Sequence, residues 1–329
     1  MIRLFLILLF FSNLLHAQTD SADANVESVT SQELINRMSD ATKKLNYEGE
    51  FVFTRGEQMD VMHMVHKSDD SGEREKIVSL TGPAREVIRN NQTVTCIFPD
   101  TQEVMVERSH AQSFAIKLPV SIEAVADNYE FSTIGNERIA GRDSWVVSVT
   151  PKDIFRYGYH LWIDKETYLL LKSELRDEAG VPLEVVMFTE LQLRDTFSND
   201  VFSPSISGEQ YTWYEFAGDS TVAAADVTIT DSKWQVTWLP SGFRLSNHNG
   251  HVPGEQDGFL EHMVYSDGVS MVSIFIEKRD SGPDVNSGAL KIGAINVYAR
   301  IAGDYQVTAV GAVPQATVIR MVDSVTTGQ

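Results

Sequence analysis

Apolar residues from Tyr47 to Leu193 recur at every second position, in short segments separated by turn-forming residues, and this alternation constrains the fold more than any other feature. A period of two sends successive side chains to opposite faces, so each segment reads as a strand with one buried and one wetter face. The segments fall at 47–54, 58–67, 76–80, 84–90, 93–98 and 103–108, then at 129–134, 144–151, 157–164, 168–176 and 183–193. Arg55-Gly56, Asp69-Asp70-Ser71-Gly72, Gly82-Pro83, Asn90-Asn91, Pro99-Asp100, Asp164-Lys165-Glu166-Thr167 and Asp177-Glu178-Ala179-Gly180 supply the turns. Successive hairpins of this kind predict one large twisted antiparallel sheet that curls toward a barrel. Two helices are expected beside it. Thr30 and Glu33 make a capping box ahead of Leu34, Met38, Ala41 and Leu45 on one stripe, and Pro119 to Asn128 reads as a short helix with Ile122 and Val125 inward.

Residues 204–230 break the rhythm. Small polar residues dominate there, as in an interdomain linker, although Trp213, Tyr214 and Phe216 are expected to pack on a domain. Alternation resumes at 234–238, 243–247, 259–266, 269–278, 291–299 and 304–310. Pro314 then opens a closing helix with Val318, Ile319, Val322 and Val325 on one face. The expected fold class is mainly β with α+β: a large half-open antiparallel barrel over 30–203 and a small α+β domain over 231–329.

The N-terminus reads as an export signal. Met1-Ile2-Arg3 precedes the apolar run Leu4–Phe11 and a cut after Ala17, leaving 18–29 as a flexible lead-in. That run is well short of the roughly 20 residues that span a bilayer, and no cysteine follows the cut to carry a lipid anchor. The expectation is a soluble exported protein, periplasmic in a Gram-negative cell. Its 27 Lys and Arg face 46 Asp and Glu, a formal charge of −19. Nucleic acid is therefore an unsuitable partner, because phosphate neutralisation needs concentrated cations. One cysteine, Cys96, excludes internal disulfides and thiolate-rich metal sites.

Catalytic chemistry is hard to find. Gly-x-Ser-x-Gly, Walker and Rossmann patterns are absent, and so is any cofactor motif. His63 and His66 are three apart, a spacing that suits two ligands on a helix, but on a strand they point to opposite faces, which disfavours a shared metal. His248 and His251 sit in Asn247–Gly254, which reads as a polar loop, and His160 as a rim residue on a strand. Cys96 alternates with Val94 and Phe98 and is expected in the core. A non-enzymatic role is favoured. A half-open barrel offers an apolar slot instead, with Phe51 and Phe53, Trp145 and Val147, Tyr159 and Leu161, and Leu169 and Leu171 as candidate lipid contacts. The alternative is ordinary core beneath covering helices. Each buried chain methylene stabilises by about 0.8 kcal/mol, and Arg85, Arg89 or Arg156 would offset the net negative charge toward a phosphate-bearing lipid.

Three stretches carry a resemblance. Arg156-Tyr157-Gly158-Tyr159-His160-Leu161-Trp162-Ile163-Asp164-Lys165-Glu166-Thr167, continuing through Leu169–Ser173, resembles the central hairpin of the RseB/MucB family of periplasmic sigma-E regulators. Gly242–Leu245 through Glu277-Lys278-Arg279, and Gly293–Tyr298 through the Pro314 helix, resemble that family's smaller domain. The resemblance implies a large domain similar to LolA-type lipoprotein carriers, a linker and a small domain. It implies binding to the periplasmic segment of an RseA/MucA-type anti-sigma factor, shielding of that segment from a DegS-type site-1 protease, and release on sensing lipopolysaccharide or another lipid. The small domain and linker are then the partner-binding regions, with Arg244, Asn247, His248 and His251 as candidate contacts. A LolA-type carrier is the alternative, although it has no need of 231–329. Self-association into a homo-oligomer stays open.

Overall fold

The computed structural model describes residues 29–108, 122–205, 210–216, 227–228, 232–251, 260–279 and 287–327. It opens on α1 (Ser31–Lys44), where the Thr30 hydroxyl accepts the Glu33 backbone N–H at 3.2 Å and caps the first turn. Leu34, Ile35, Met38 and Ala41 form its buried stripe. The strands that follow are β1 (Tyr47–Arg55), β2 (Gln58–Asp69), β3 (Gly72–Ser79), β4 (Glu86–Asn90), β5 (Thr93–Phe98) and β6 (Glu103–Arg108). After a 3-10 turn at Glu123–Val125 come β7 (Tyr129–Ile139), β8 (Arg142–Pro151), β9 (Gly158–Asp164), β10 (Leu170–Arg176) and β11 (Pro182–Leu193).

The two runs of hairpins join where β1 pairs antiparallel with β11. With β12 (Thr212–Phe216), the order is β12-β6-β5-β4-β3-β2-β1-β11-β10-β9-β8-β7. β12 and β7 are therefore separate ends, and the sheet curls without closing. Hydrophobic burial holds α1 against the inner face. Leu34, Ile35 and Met38 pack on Val147, Val149, Leu161 and Ile163, while Ala41 joins Phe51, Met62, Met64 and Leu171.

The second unit contains β13 (Val227–Thr228), β14 (Trp234–Val236), β15 (Arg244–His251), β16 (Leu260–Ser266), β17 (Met271–Lys278), β18 (Gly288–Ile292), β19 (Ile295–Ala302) and β20 (Tyr305–Gly311). Then come α2 (Gln315–Asp323) and β21 (Val325–Thr327), which pairs with β14. The larger sheet runs β13-β15-β16-β17-β20-β19-β18. Val318, Met321 and Val322 of α2 close a core over Val272, Ile274, Ile276, Val307 and Ala309. No helix among the described residues is long and apolar enough to cross a membrane.

Several sequence expectations need correction. The supposed linker lends a strand to each sheet, β12 parallel to β6 and β13 beside β15. Asn247 to His251 are strand and not loop, because their backbones pair with Leu260–Val264; partner pairing overrides polar composition. The expected strand 291–299 is a hairpin, broken at Gly293 with φ +60°. Cys96 is only half-buried, and Ile97 faces the core with Ile88 and Val104. Tyr211 packs on that opposite face and makes it the drier one. β3 and β7 outrun their apolar segments by continuing as polar ladders. Of the expected helix Pro119–Asn128, the described part holds only the 3-10 turn, and 119–121 lie outside the described residues.

Candidate functional site

The inner face of the large sheet comes first, since α1 occupies it. Phe51, Val147, Leu161, Leu169 and Leu171 are fully buried among α1 and neighbouring strands. Phe53, Trp145 and Tyr159 are half-buried at the periphery of the same clusters. Trp145 stacks on Tyr168 at 5.6 Å, and Arg37 of α1 donates to the Tyr168 hydroxyl at 2.8 Å. The helix is thus held on this face by its apolar stripe and by polar ties, from Arg37 to Tyr168 and from Ser31 to Thr133 at 3.0 Å.

At one end of this face sits a polar cluster. Tyr47 stacks on the fully buried His66 at 4.8 Å. His66 Nδ1 is 2.8 Å from the Leu45 carbonyl and Nε2 is 3.1 Å from Glu73. Arg89 is held by Glu73 and, at 3.2 Å, by Glu75, so it is an internal ion-pair partner. Arg85 is half-buried just before β4. Burial opposes ionisation of Glu73, but the hydrogen bonds from His66 and Arg89 outweigh it and hold its carboxyl at about 2. A depressed carboxyl stabilises the fold above its unfolded value near 4.5 and stops doing so as pH falls toward 2. Glu73→Gln is therefore expected to lose on the order of 2–3 kcal/mol at neutral pH. In urea unfolding, that deficit should shrink as the pH is lowered from 4.5 to 2.

The second focus is the junction between the domains. The β8–β9 loop shapes itself first: Asp153 Oδ1 accepts the Phe155 N–H at 2.9 Å and Arg156 Nε at 3.1 Å, and Oδ2 accepts Arg156 at 2.8 Å. Arg156 then reaches into the small domain, donating to Asp267 at 2.6 Å and to the Ser241 carbonyl at 2.6 Å. Both the Arg156 and Asp267 side chains are 0% exposed. Tyr129 and Phe243 place their rings 5.4 and 5.3 Å from the guanidinium. Tyr129 also donates its hydroxyl to Asp267 at 3.0 Å, and burial together with that carboxylate raises its pKa, keeping the proton on. Asp267 Oδ1 accepts the N–H groups of Val269 and Ser270 at 2.9 and 2.7 Å.

Around this clamp the same loop is gripped twice more. Thr317, in the first turn of α2, donates to the Phe155 carbonyl at 2.7 Å, and the Phe155 ring packs on Trp238. Asn296 of β19 donates to the Tyr157 hydroxyl at 3.0 Å. Arg156, named from sequence only as a cation for lipid phosphate, is in fact the centre of a buried interdomain network. An Asp three residues before an Arg, between two strands, was the available signal; Asp267 is too far along the chain to be linked to it by reading.

The partner candidates fall on β15. Arg244 and Asn247 are exposed, His248 is half-buried, and the side chain of His251 lies outside the described residues. His248 Nε2 is 2.7 Å from the buried Glu261, which Ser232 also binds. Among the described residues no group of His, Cys, Asp and Glu is arranged to hold a metal. His160 accepts from Arg176 at 2.6 Å; burial, then the Arg176 charge, lowers its pKa.

Comparison with known proteins agrees with this two-part architecture. Residues 30–206 match the MucB/RseB N-terminal domain and 228–326 the MucB/RseB C-terminal domain. The chain therefore belongs to the MucB/RseB family. It is 28% identical over 325 residues to the sigma factor AlgU regulatory protein MucB of Pseudomonas aeruginosa, covering 97% of this chain and 96% of that one. The sigma-E factor regulatory protein RseB of Haemophilus influenzae is 27% identical over 312 residues, covering 93% and 94%. A crystal structure of MucB in complex with MucA(peri) superposes with a TM-score of 0.70 at 26% identity, covering 91% of this chain and 99% of that one.

Proposed function

We propose that this chain is a periplasmic regulator of a sigma-E-type envelope-stress response. It binds the periplasmic segment of an RseA/MucA-type anti-sigma factor and shields it from the first protease. The observation that carries this reading is the likeness to MucB solved with MucA(peri), which extends through both domains. The leader read over residues 1–17 supports export to the compartment where such a segment lies. The role is one of binding and release, with no catalytic step.

Release requires linkage. A lipid shifts the equilibrium only by the difference between its affinities for the free and the partner-bound forms. An acyl chain entering the inner face competes with α1 for Phe51, Val147, Leu161 and their neighbours. Phe53, Trp145 and Tyr159, already half-buried, are the contacts it meets first, and Arg85 is the nearby cation for an acidic headgroup. The interdomain clamp of Arg156 gives a shift in the large domain a route to the small one. Titrating the cognate anti-sigma segment into the mature chain, with and without lipopolysaccharide, tests this. Binding that lipid weakens is expected; absence of binding to the segment rejects the regulator, and unchanged affinity rejects the lipid route.

A further inference from the structure

The seven-stranded sheet ends in β18, whose five residues are all exposed. Leu290 and Ile292 are 58% and 55% exposed although they are large and apolar. They share a face with Val297 and Ile295, their partners across the hairpin. Gly293 and Ala294 form the two-residue turn, with Gly293 at φ +60° in the first central position, as a type II′ hairpin requires. In such a hairpin the flanking pair, Ile292 and Ile295, exchanges both hydrogen bonds, and bonded pairs alternate from there. Leu290 therefore bonds inward to Val297, and the backbone groups of Ala289 and Lys291 point outward from the sheet. No described strand pairs with that edge.

The edge strand itself carries positive charge. A chain with 46 carboxylate residues has none from Ser287 to Gly303, where Lys291 and Arg300 stand. Arg300 donates to the Val322 and Val325 carbonyls of the α2 region, and Arg55, whose side chain lies against Gly293, is paired with Glu184 at 2.7 Å, so Lys291 is the cation that β18 itself presents. A second copy of the chain would bring another −19 of net charge to the contact. An extended segment with alternating apolar residues and a carboxylate opposite Lys291 suits it better. The hairpin is also firmly seated: Ala294 is fully buried against Tyr157 and Leu175, and Asn296 bonds Tyr157 at 3.0 Å.

We infer that the outer edge of β18 is a strand-addition site, which takes an extended, acidic-to-neutral stretch of the anti-sigma segment as an eighth strand. This rests on the regulator reading above and specifies where on the small domain that partner docks. Backbone bonds to Ala289 and Lys291 supply affinity, and Leu290 and Ile292 select the partner's side chains. Because the same hairpin abuts Tyr157, an added strand is felt at the domain junction.

Lys291→Pro tests this, since proline removes an outward N–H and leaves the bonded pairs of the hairpin intact. Full-length mature protein and the cognate periplasmic segment are compared by titration. Lys291→Pro and the double variant Leu290→Ser/Ile292→Ser should each bind at least about tenfold more weakly, with wild-type melting and with Lys291→Arg unaffected. If Lys291→Pro does not fold, the serine double variant decides. Wild-type affinity in a folded variant overturns the site while leaving the regulator reading intact. Concentration-dependent association that Lys291→Pro abolishes, with segment binding unchanged, transfers the edge to a second copy and also overturns the proposal. Absence of binding by the wild type removes both readings.

Discussion

Arg156→Ala loses on the order of 3–5 kcal/mol, the usual consequence of removing one partner from a buried ion pair, and unfolds in two steps where the wild type unfolds in one. The loss is large because Asp267 stays behind with no exposure to solvent, while the partly exposed Asp153 and the Ser241 carbonyl each lose a donor. Tyr129 still donates to Asp267, but a phenol brings no compensating charge. Lysine restores the charge without the planar fork that serves Asp153, Asp267 and Ser241 together, so Arg156→Lys recovers only part of the deficit. Urea curves followed by tryptophan fluorescence, to which Trp238 beside Phe155 at the junction contributes, and by far-ultraviolet dichroism should separate in Arg156→Ala. Coincident curves with a loss under about 1 kcal/mol would mean that the domains are coupled elsewhere.

Phe51→Ala is the second large effect, at about 3–5 kcal/mol. Phe51 is 1% exposed, pairs with Met62 across the strand and meets Phe188 edge-on at 5.8 Å. Removing the ring leaves a cavity in the cluster that also contains Ala41 of α1. That weakens the seating of the helix, so acyl-chain affinity is expected to rise even as stability falls. Measuring both on the same variant separates two roles for the residue. A fall in acyl affinity alongside the stability loss would instead make Phe51 a direct lipid contact that α1 does not need to vacate.

Local periodicity made the large sheet legible. Tyr47–Arg55 and Gln58–Asp69 declare themselves through alternation and an Arg-Gly turn, and Thr30 with Glu33 marks where α1 begins. Where pairing overrode composition, reading failed. The stretch Asn247-His248-Asn249 looks like loop until β16 supplies its ladder, and Gly293 hides a hairpin inside what scans as one apolar strand. The site was harder still. Phe51 and Leu161 were recognisable as inward-facing, but whether they line an empty trough or lie under a helix depends on where α1 packs. The Arg156–Asp267 pair, 111 positions apart in the chain, has no local signature at all.

Whether the protein shields its partner is read from cleavage of the cognate anti-sigma segment by its site-1 protease, with the mature protein present and with lipopolysaccharide then added. Protection is expected to grow with protein concentration and to be relieved by lipid. Cleavage at the same rate with and without saturating protein would contradict it.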